Sequence, residues 1–327
     1  MVVVVGSIGP GASAGICVGD ITSWKVAARS GRAQCREVMA KLAGLFVALT
    51  VGGCGAFVTE SPKHQKEVGH RLDLCKDLLA KRQLEAAKAE CDKVIALDAN
   101  TDEAYNARGL IALLHASETE RTLEIDQCLT GVDAQATHED LDNELRDADK
   151  DFERATKIHP DYGEAWANRG VVHNLLEDYT GAADDLETAL QNPMRLASPG
   201  LARANHAWSM FHQKKYVEAA RELRQALQFQ PKMCVANYRL GRVYFEREEW
   251  DKAADLFQTV SDDASCGSQE ASLYLMKTRI AQGLVDDARG ARDACLKMSP
   301  KSCVAIACVA DGGELGPMAA PVKVGAR

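Results

Sequence analysis

The residues of this chain that could carry chemistry are mainly its 11 cysteines and eight histidines. Metal-dependent hydrolysis or phosphate transfer would need such residues in a fixed pattern. Neither a His-Glu-x-x-His motif nor a Gly-x-x-x-x-Gly-Lys-Ser/Thr loop occurs, and no Cys-x-x-Cys pair suggests a zinc site. The carboxylates are interspersed with Lys and Arg, as on solvated helix faces. The sequence therefore predicts no catalytic residue, metal, cofactor or small-molecule substrate.

One cysteine stands in a context that would modify its thiol. Met39-Ala40-Lys41 precedes an apolar run from Leu42 to Val51, and Gly52-Gly53 comes directly before Cys54. The run is shorter than the roughly 20 residues that span a bilayer. The pattern resembles a bacterial lipobox, in which the chain is cut before the cysteine and the thiol receives a diacylglycerol. We expect lipidation of Cys54; the alternative is a soluble protein with a buried N-terminal helix and an incidental cysteine.

This interpretation divides the N-terminal part of the chain into three segments. Residues 1–38 form a leader that no lipoprotein signal requires, and we expect translation to begin at Met39. Residues 39–53 are the expected signal peptide, and residues 54–67 a lipidated polar tether. Gly55 rather than Asp follows the cysteine, which by resemblance to enterobacterial sorting indicates the outer membrane.

The rest of the chain follows a repeat of about 34 residues. The segment Tyr162–Gly170 aligns with Thr101–Gly109, and Asn237–Tyr244 follows the same pattern. Each segment carries a small residue on a predicted first helix, where a second helix could approach closely. The second helices share apolar positions separated by four and then three residues, which lie on one helical face. Examples of these triplets are Ala182 with Leu186 and Ala189, and Ala253 with Phe257 and Val260.

This pattern resembles the tetratricopeptide-repeat (TPR) family from about Val68 to Ser302. The resemblance implies an all-α TPR solenoid, a right-handed superhelix of about six helix-turn-helix repeats with a concave groove lined by the first helices. Each helix pair alone leaves an apolar face uncovered, so the pairs must stack. The repeats are expected to begin near Val68, Asp102, Gly163, Gly200, Cys234 and Gln269.

Two segments depart from the regular repeat. The second repeat is longer by about 27 residues, which places an acidic insertion near residues 115–142. A solvated loop or extra helix is one interpretation, and a partner-specific contact is the other. Residues 303–327 are expected to form a cap followed by a disordered tail.

Net charge constrains the class of partner. The chain carries 47 acidic and 39 basic residues, with a formal net charge of -8. Because binding to nucleic acid needs a basic face that displaces counterions, the sequence predicts no nucleic-acid partner.

Eight cysteines remain after Cys17, Cys35 and Cys54 are set aside, and an even number in an exported chain permits disulfides. In the TPR arrangement, Cys75 and Cys91 occupy touching sites of one repeat, which makes them the leading candidates. The alternative is that both are small buried apolar residues. Weaker candidates are Cys234 with Cys266, and Cys295 with either Cys303 or Cys308.

Several aromatic and polar side chains on the first helices are expected to face the concave groove. Exposed aromatic residues there would mark a site for an amphipathic helix or an extended peptide, with Arg242 and Asn205 fixing its polar ends. If the register were wrong by one residue, the aromatic residues would instead lie in the core. The set comprises Trp208, Phe211, Tyr238, Arg242, Phe245, Asn205, Asn168 and Asn174.

A lipidated chain of six TPRs resembles the type IV pilus pilotins of the PilF/PilW group, including Tgl-like proteins. The resemblance implies a lipid-anchored outer-membrane protein, facing the periplasm, that binds the secretin subunit and helps it insert or multimerise. Such a protein is not an enzyme. Two other roles stay open: an adaptor for periplasmic proteases or peptidoglycan enzymes, and a subunit of an outer-membrane protein assembly complex.

Overall fold

A computed structural model describes residues 61–315 of the chain. The predictions that concern Cys54, residues 1–38, residues 39–53 and the tail after residue 315 lie outside this range. Thirteen α-helices and no strand occur within it. The helices are α1 (Pro62–Ala80), α2 (Leu84–Leu97), α3 (Asp102–Glu120), α4 (Gly131–Ile158), α5 (Gly163–Leu175), α6 (Tyr179–Gln191), α7 (Pro199–His212), α8 (Tyr216–Phe229), α9 (Cys234–Glu246), α10 (Trp250–Asp262), α11 (Gln269–Ala281), α12 (Val285–Met298) and α13 (Cys303–Asp311).

The helices form six consecutive pairs followed by a single cap. In five of the pairs, from α3 with α4 to α11 with α12, the two helices pack against each other, and from α2 to α10 each second helix also packs against the first helix of the next pair. This nearest-neighbour stacking buries the apolar face that each pair would otherwise expose. The predicted all-α TPR solenoid is therefore confirmed.

The first helix corrects one predicted boundary. It begins at Pro62, so the residues between Pro62 and Glu67 are helical and not part of a polar tether. Proline is favoured in the first turn of a helix, where its missing amide hydrogen costs nothing. Arg71 supports the next turns of the helix by an ion pair with Glu67 at 3.1 Å.

The close approach of the two helices in a repeat depends on glycine. A Cβ atom at Gly170 would lie 2.6 Å from Cγ of Leu186, and one at Gly241 would lie 2.7 Å from Cε1 of Phe257. Both partner side chains are fully buried and cannot move aside. The small residues that mark the repeat in the sequence are thus required by packing.

Replacing Gly241 with alanine is expected to lower the free energy of unfolding by about 1–2 kcal/mol, because overpacking outweighs the gain in helix propensity. The matched control is Gly290 on α12, where an added Cβ would meet no atom within 4 Å. Gly290→Ala should be neutral or stabilise by up to about 1 kcal/mol. Urea denaturation of the two variants measures the difference; equal effects would contradict this packing argument.

The acidic insertion is neither a solvated loop nor a separate α-helix. It lengthens α3 to 19 residues and α4 to 28 residues, and a π-helical turn, Arg121–Asp126, follows α3. Leu123 in this turn is buried. The turn packs against α13, and the backbone amide of Cys128 donates a hydrogen bond of 2.9 Å to the carbonyl of Lys301. The insertion therefore contacts the cap of its own chain.

Four disulfides use all eight cysteines of residues 61–315. Cys75 and Cys91 are joined, as are Cys234 and Cys266, and Cys295 pairs with Cys308 rather than with Cys303. Sequence reasoning missed the fourth disulfide, between Cys128 and Cys303. This disulfide joins the insertion in the second repeat to α13. The stacking of adjacent repeats alone does not predict a contact between these two elements.

Candidate functional site

The first helices form the inner face of the solenoid. Successive first helices touch one another, from α3 with α5 to α9 with α11. Comparable contacts between successive second helices are absent from residues 61–315. Because the first helices lie closer together, the ribbon curves toward them. Side chains that project from α5, α7, α9 and α11 on this side therefore line the concave groove.

Asparagine side chains link the first helices across this groove. Asn168 donates a hydrogen bond of 3.0 Å to Oδ1 of Asn106, and Asn174 donates one of 3.2 Å to the backbone carbonyl of Asn205. The side chains of Asn174 and Asn205 are buried. These three predicted partner-binding asparagines thus form contacts between repeats. Asn106 was not predicted, because in the aligned repeats it stands one position before the residue equivalent to Asn168.

The expected exposure of two aromatic residues is wrong. Trp208 and Phe211 are 8% and 6% exposed, and their rings stack with centroids 4.8 Å apart. Both belong to the core cluster that the last three repeats share. The reason is the closeness of the first helices, because side chains at this position fill the space between α7 and α9. The alternative in which these aromatic residues are core is correct for this pair.

Three half-buried aromatic rings continue along the groove. Tyr238 and Phe245 on α9 both lie against Tyr274 on α11, with ring centroids 6.3 Å and 5.3 Å away. Tyr274 is a groove residue that sequence reasoning missed. The three rings, unlike Trp208 and Phe211, retain surface that a partner could contact.

Two arginines on α9 accompany these rings. Arg242 lies 3.9 Å above the ring of Tyr274 and donates a hydrogen bond of 3.2 Å to the hydroxyl of Tyr238. Arg239 is 7% exposed and donates hydrogen bonds to the carbonyl of Ala204 and to Oδ1 of Asn205, at 2.9 Å and 2.7 Å. Burial lowers the pKa of the Arg239 guanidinium, which nevertheless stays protonated at neutral pH.

A partly buried ion cluster holds the third repeat to the second. His173 on α5 lies 3.1 Å from Asp149 on α4 and 3.1 Å from Asp185 on α6. Arg169 also contacts both carboxylates. The hydrogen bond to Asp149 and the ion-pair contact with Asp185 outweigh burial and raise the pKa of His173 to about 10. The two basic side chains compensate the two carboxylates, so the cluster has a structural role and links neighbouring helices.

The raised pKa of His173 makes the stabilisation from this ion cluster pH-dependent. Because the folded state holds the proton on His173 more tightly than the unfolded state, the stabilisation is complete below about pH 6.5 and is lost as pH rises toward 10. We expect wild-type protein to lose about 2 kcal/mol between pH 6.5 and 9 through this group. His173→Gln should remove that loss in urea titrations, whereas His138→Gln at an exposed position should not. An unchanged pH profile in the His173 variant would contradict this role.

A cavity of about 640 Å³ lies outside the groove, between α2, α3 and α4. Arg108 crosses it to form ion pairs of 2.7 Å with Asp92 and with Asp151. Residues 61–315 contain no group of three or more side chains placed to hold a metal ion, and none of their helices is long and apolar enough to cross a bilayer. The charge of Arg108 in this cavity is thus paired with carboxylates of both neighbouring helices.

Comparison with family models identifies repeats in two stretches of the chain. Models described as tetratricopeptide repeat match residues 142–200 and 210–265. Comparison with curated proteins finds no match in sequence. Together with the six stacked helix pairs, these matches show that the chain contains tetratricopeptide repeats arranged as a TPR solenoid.

Solved structures of other TPR proteins resemble the fold. PilW, described as a widely conserved type IV pilus biogenesis factor, has a TM-score of 0.58 at 17% identity, over 73% of this chain and 96% of that chain. PilF of Pseudomonas aeruginosa has a TM-score of 0.57 at 14% identity, over 76% and 99%. The Cut9–Hcn1 hetero-tetramer of APC/C has a TM-score of 0.59 at 12% identity, over 76% and 44%.

At these identities the likeness establishes the fold alone. TPR solenoids typically bind other proteins on their extended concave surface and act as scaffolds without catalysis. The TPR fold therefore indicates a role in protein–protein interaction, for which the concave groove is the candidate surface.

Proposed function

We propose that this chain is a lipid-anchored assembly scaffold of the type IV pilus, which binds the secretin subunit in its groove at the periplasmic face of the outer membrane. The observation that carries the proposal is the extent of the structural likeness. The alignments cover 96% of PilW and 99% of PilF, whereas only 44% of the Cut9–Hcn1 chain is matched. The size of the repeat array therefore corresponds to that of two pilus biogenesis proteins.

The disulfides support a location outside the cytoplasm. All eight cysteines of residues 61–315 are paired, and such disulfides persist mainly in oxidising compartments such as the bacterial periplasm. The lipobox-like segment before Cys54 agrees with this location. A lipid on Cys54 would then hold the solenoid at the membrane.

The proposed mechanism is binding without chemistry. A lipid anchor confines the scaffold to the membrane and so raises its effective concentration near a client that must insert there. The half-buried rings of Tyr238, Phe245 and Tyr274 supply apolar contact area, while Arg239 and Arg242 supply charge. The client would be held in this groove until contacts between client subunits replace it.

Deletion of the gene in its native organism tests this proposal. We expect heat-stable secretin multimers to disappear from immunoblots and secretin monomers to remain. Wild-type protein should restore the multimers, whereas Cys54→Ala should restore them less well and should leave the envelope fraction. Normal multimers in the deletion strain would overturn the secretin role. Altered peptidoglycan, or a general loss of outer-membrane proteins, would then favour the adaptor or assembly-complex alternatives.

A further inference from the structure

Two arginines in the groove have little carboxylate compensation within the described part of the chain: Arg239 has no ion pair, and Arg242 has a single one at 4.0 Å. Arg239, although more than nine-tenths buried, forms no ion pair with any carboxylate among residues 61–315. Only one of its guanidinium nitrogens takes part in the hydrogen bonds to Ala204 and Asn205. A buried charge is costly unless it is paired, so an unpaired guanidinium at this position requires an explanation beyond folding.

Arg242 adds a second charge on the same face. It lies three residues after Arg239 on α9, so the two side chains are neighbours on the helix. Both guanidinium groups lie over the ring of Trp208, at 5.2 Å and 5.7 Å from its centroid. The closest carboxylate to Arg242 belongs to Glu246 at 4.0 Å, and Nε of Arg242 is enclosed without a hydrogen-bond acceptor.

A neighbouring titratable group senses the resulting positive potential. His212 stacks on Tyr179 and meets the edge of Trp208 at 4.6 Å. Burial, followed by the charges of Arg242 and Arg239, lowers the pKa of this histidine to about 4. The nearby cation Lys277 differs from the two arginines because it is neutralised by Asp311 at 2.8 Å.

From this arrangement we infer that the groove recognises a linear segment of a partner protein through an internal Asp or Glu side chain, which pairs with Arg239 and Arg242. A carboxylate matches the planar guanidinium in a bidentate geometry, which gives a strong, oriented contact. The rings of Tyr238, Phe245 and Tyr274 hold the apolar side chains next to that acidic residue. The inference rests on the proposed role of the groove and names the chemistry of its client.

A protein segment fits the site better than nucleic acid does. Phosphate groups along a strand need a row of cations, and counterion release grows with the number of contacts. Within residues 61–315 the groove offers two cations, Arg239 without an ion pair and Arg242 with one carboxylate at 4.0 Å, in a chain whose net charge is -8. The two arginines can pair with one carboxylate of a partner, and the three aromatic rings beside them can contact the apolar residues next to it.

Selection from a random 12-residue library displayed on phage tests the inference. The full chain serves as bait, and the displayed peptides are joined to the coat protein by their C-terminal ends, so that only side chains can supply a carboxylate. We expect enrichment of Asp or Glu flanked by apolar residues. A selected peptide should bind Arg242→Met about 10- to 100-fold more weakly, as for loss of a charge-assisted contact.

Arg242→Met leaves the hydrogen bonds of Arg239 in place and so serves as the main variant; Arg239→Met, checked for folding by circular dichroism, is the second. Arg224→Met, at an exposed position on α8, is the matched control and should bind like wild type. Substitution of the acidic residue in the peptide by its amide should cause the same loss as Arg242→Met.

Groove-dependent peptides without acidic enrichment would overturn the carboxylate inference while leaving the proposed scaffold role intact. Equal binding by wild type and Arg242→Met would overturn it as well, as would a failure to select any peptide. Tight binding of an oligouridylate in place of acidic peptides would replace it with a nucleic-acid site. Loss of secretin multimers in the deletion strain remains the separate test of the scaffold role.

Discussion

Replacing Trp208 with alanine is expected to lower the free energy of unfolding by about 3–5 kcal/mol and the Tm by roughly 10 °C. The indole is 8% exposed, stacks on Phe211 and lies beneath two guanidinium groups. Its removal leaves a cavity between α7 and α9 and also removes cation–π contacts. Differential scanning calorimetry of the full chain measures the shift.

Alanine is the informative substitution at this position. Glutamate would lie beside Arg239 and Arg242, and an ion pair with either would offset part of the packing loss. Phe229 on α8 is the matched control, because its ring is 77% exposed. Phe229→Ala should change stability by less than about 0.5 kcal/mol. A Trp208 variant that melts with wild type would show that this ring belongs to an open surface and not to the core.

Loss of the disulfide between Cys128 and Cys303 is expected to destabilise the protein by about 3–5 kcal/mol. The two residues are 175 positions apart, and in the chain-entropy model stabilisation rises with the length of the closed loop. A solenoid otherwise couples only neighbouring repeats. Replacing both cysteines with serine should therefore also broaden the melting transition or split it into two.

The disulfide between Cys234 and Cys266 is the matched control, because it spans 32 positions and lies within the fifth repeat, between the start of α9 and the loop before α11. Replacing both of these cysteines with serine should destabilise the protein by about 1–2 kcal/mol less than loss of the disulfide between Cys128 and Cys303, according to the same model. The melting transition should remain single. Identical shifts and identical transition widths for the two double variants would refute the idea that the insertion couples the second repeat to the cap.

Local pattern was sufficient to predict the fold. The glycines at 170 and 241 and the apolar positions they face, Leu186 and Phe257, are separated by fixed distances along the chain. Contacts within a repeat and between adjacent repeats are local in sequence, so periodicity encodes them. The starts of α3, α5, α9 and α11 coincide with the residues at which the aligned repeats begin.

Features that depend on the curvature of the ribbon were not predictable in this way. The burial of Trp208 follows from how closely α7 and α9 approach, and periodicity does not determine that distance. The pairing of Cys128 with Cys303 needs the insertion to reach α13 from the second repeat. Arg239 carries no distinguishing signal in the sequence; only three-dimensional contacts show that it is buried without an ion pair among the described residues.

Site-specific photo-crosslinking tests the central claim, that this solenoid acts by holding a client protein in its concave groove. Tyr274 in the groove and Val217, 64% exposed on α8, are each replaced by p-benzoylphenylalanine in the native organism. We predict a crosslink to the secretin subunit from position 274 and none from position 217. A secretin crosslink from position 217 alone, or equal crosslinks from both positions, would contradict the account.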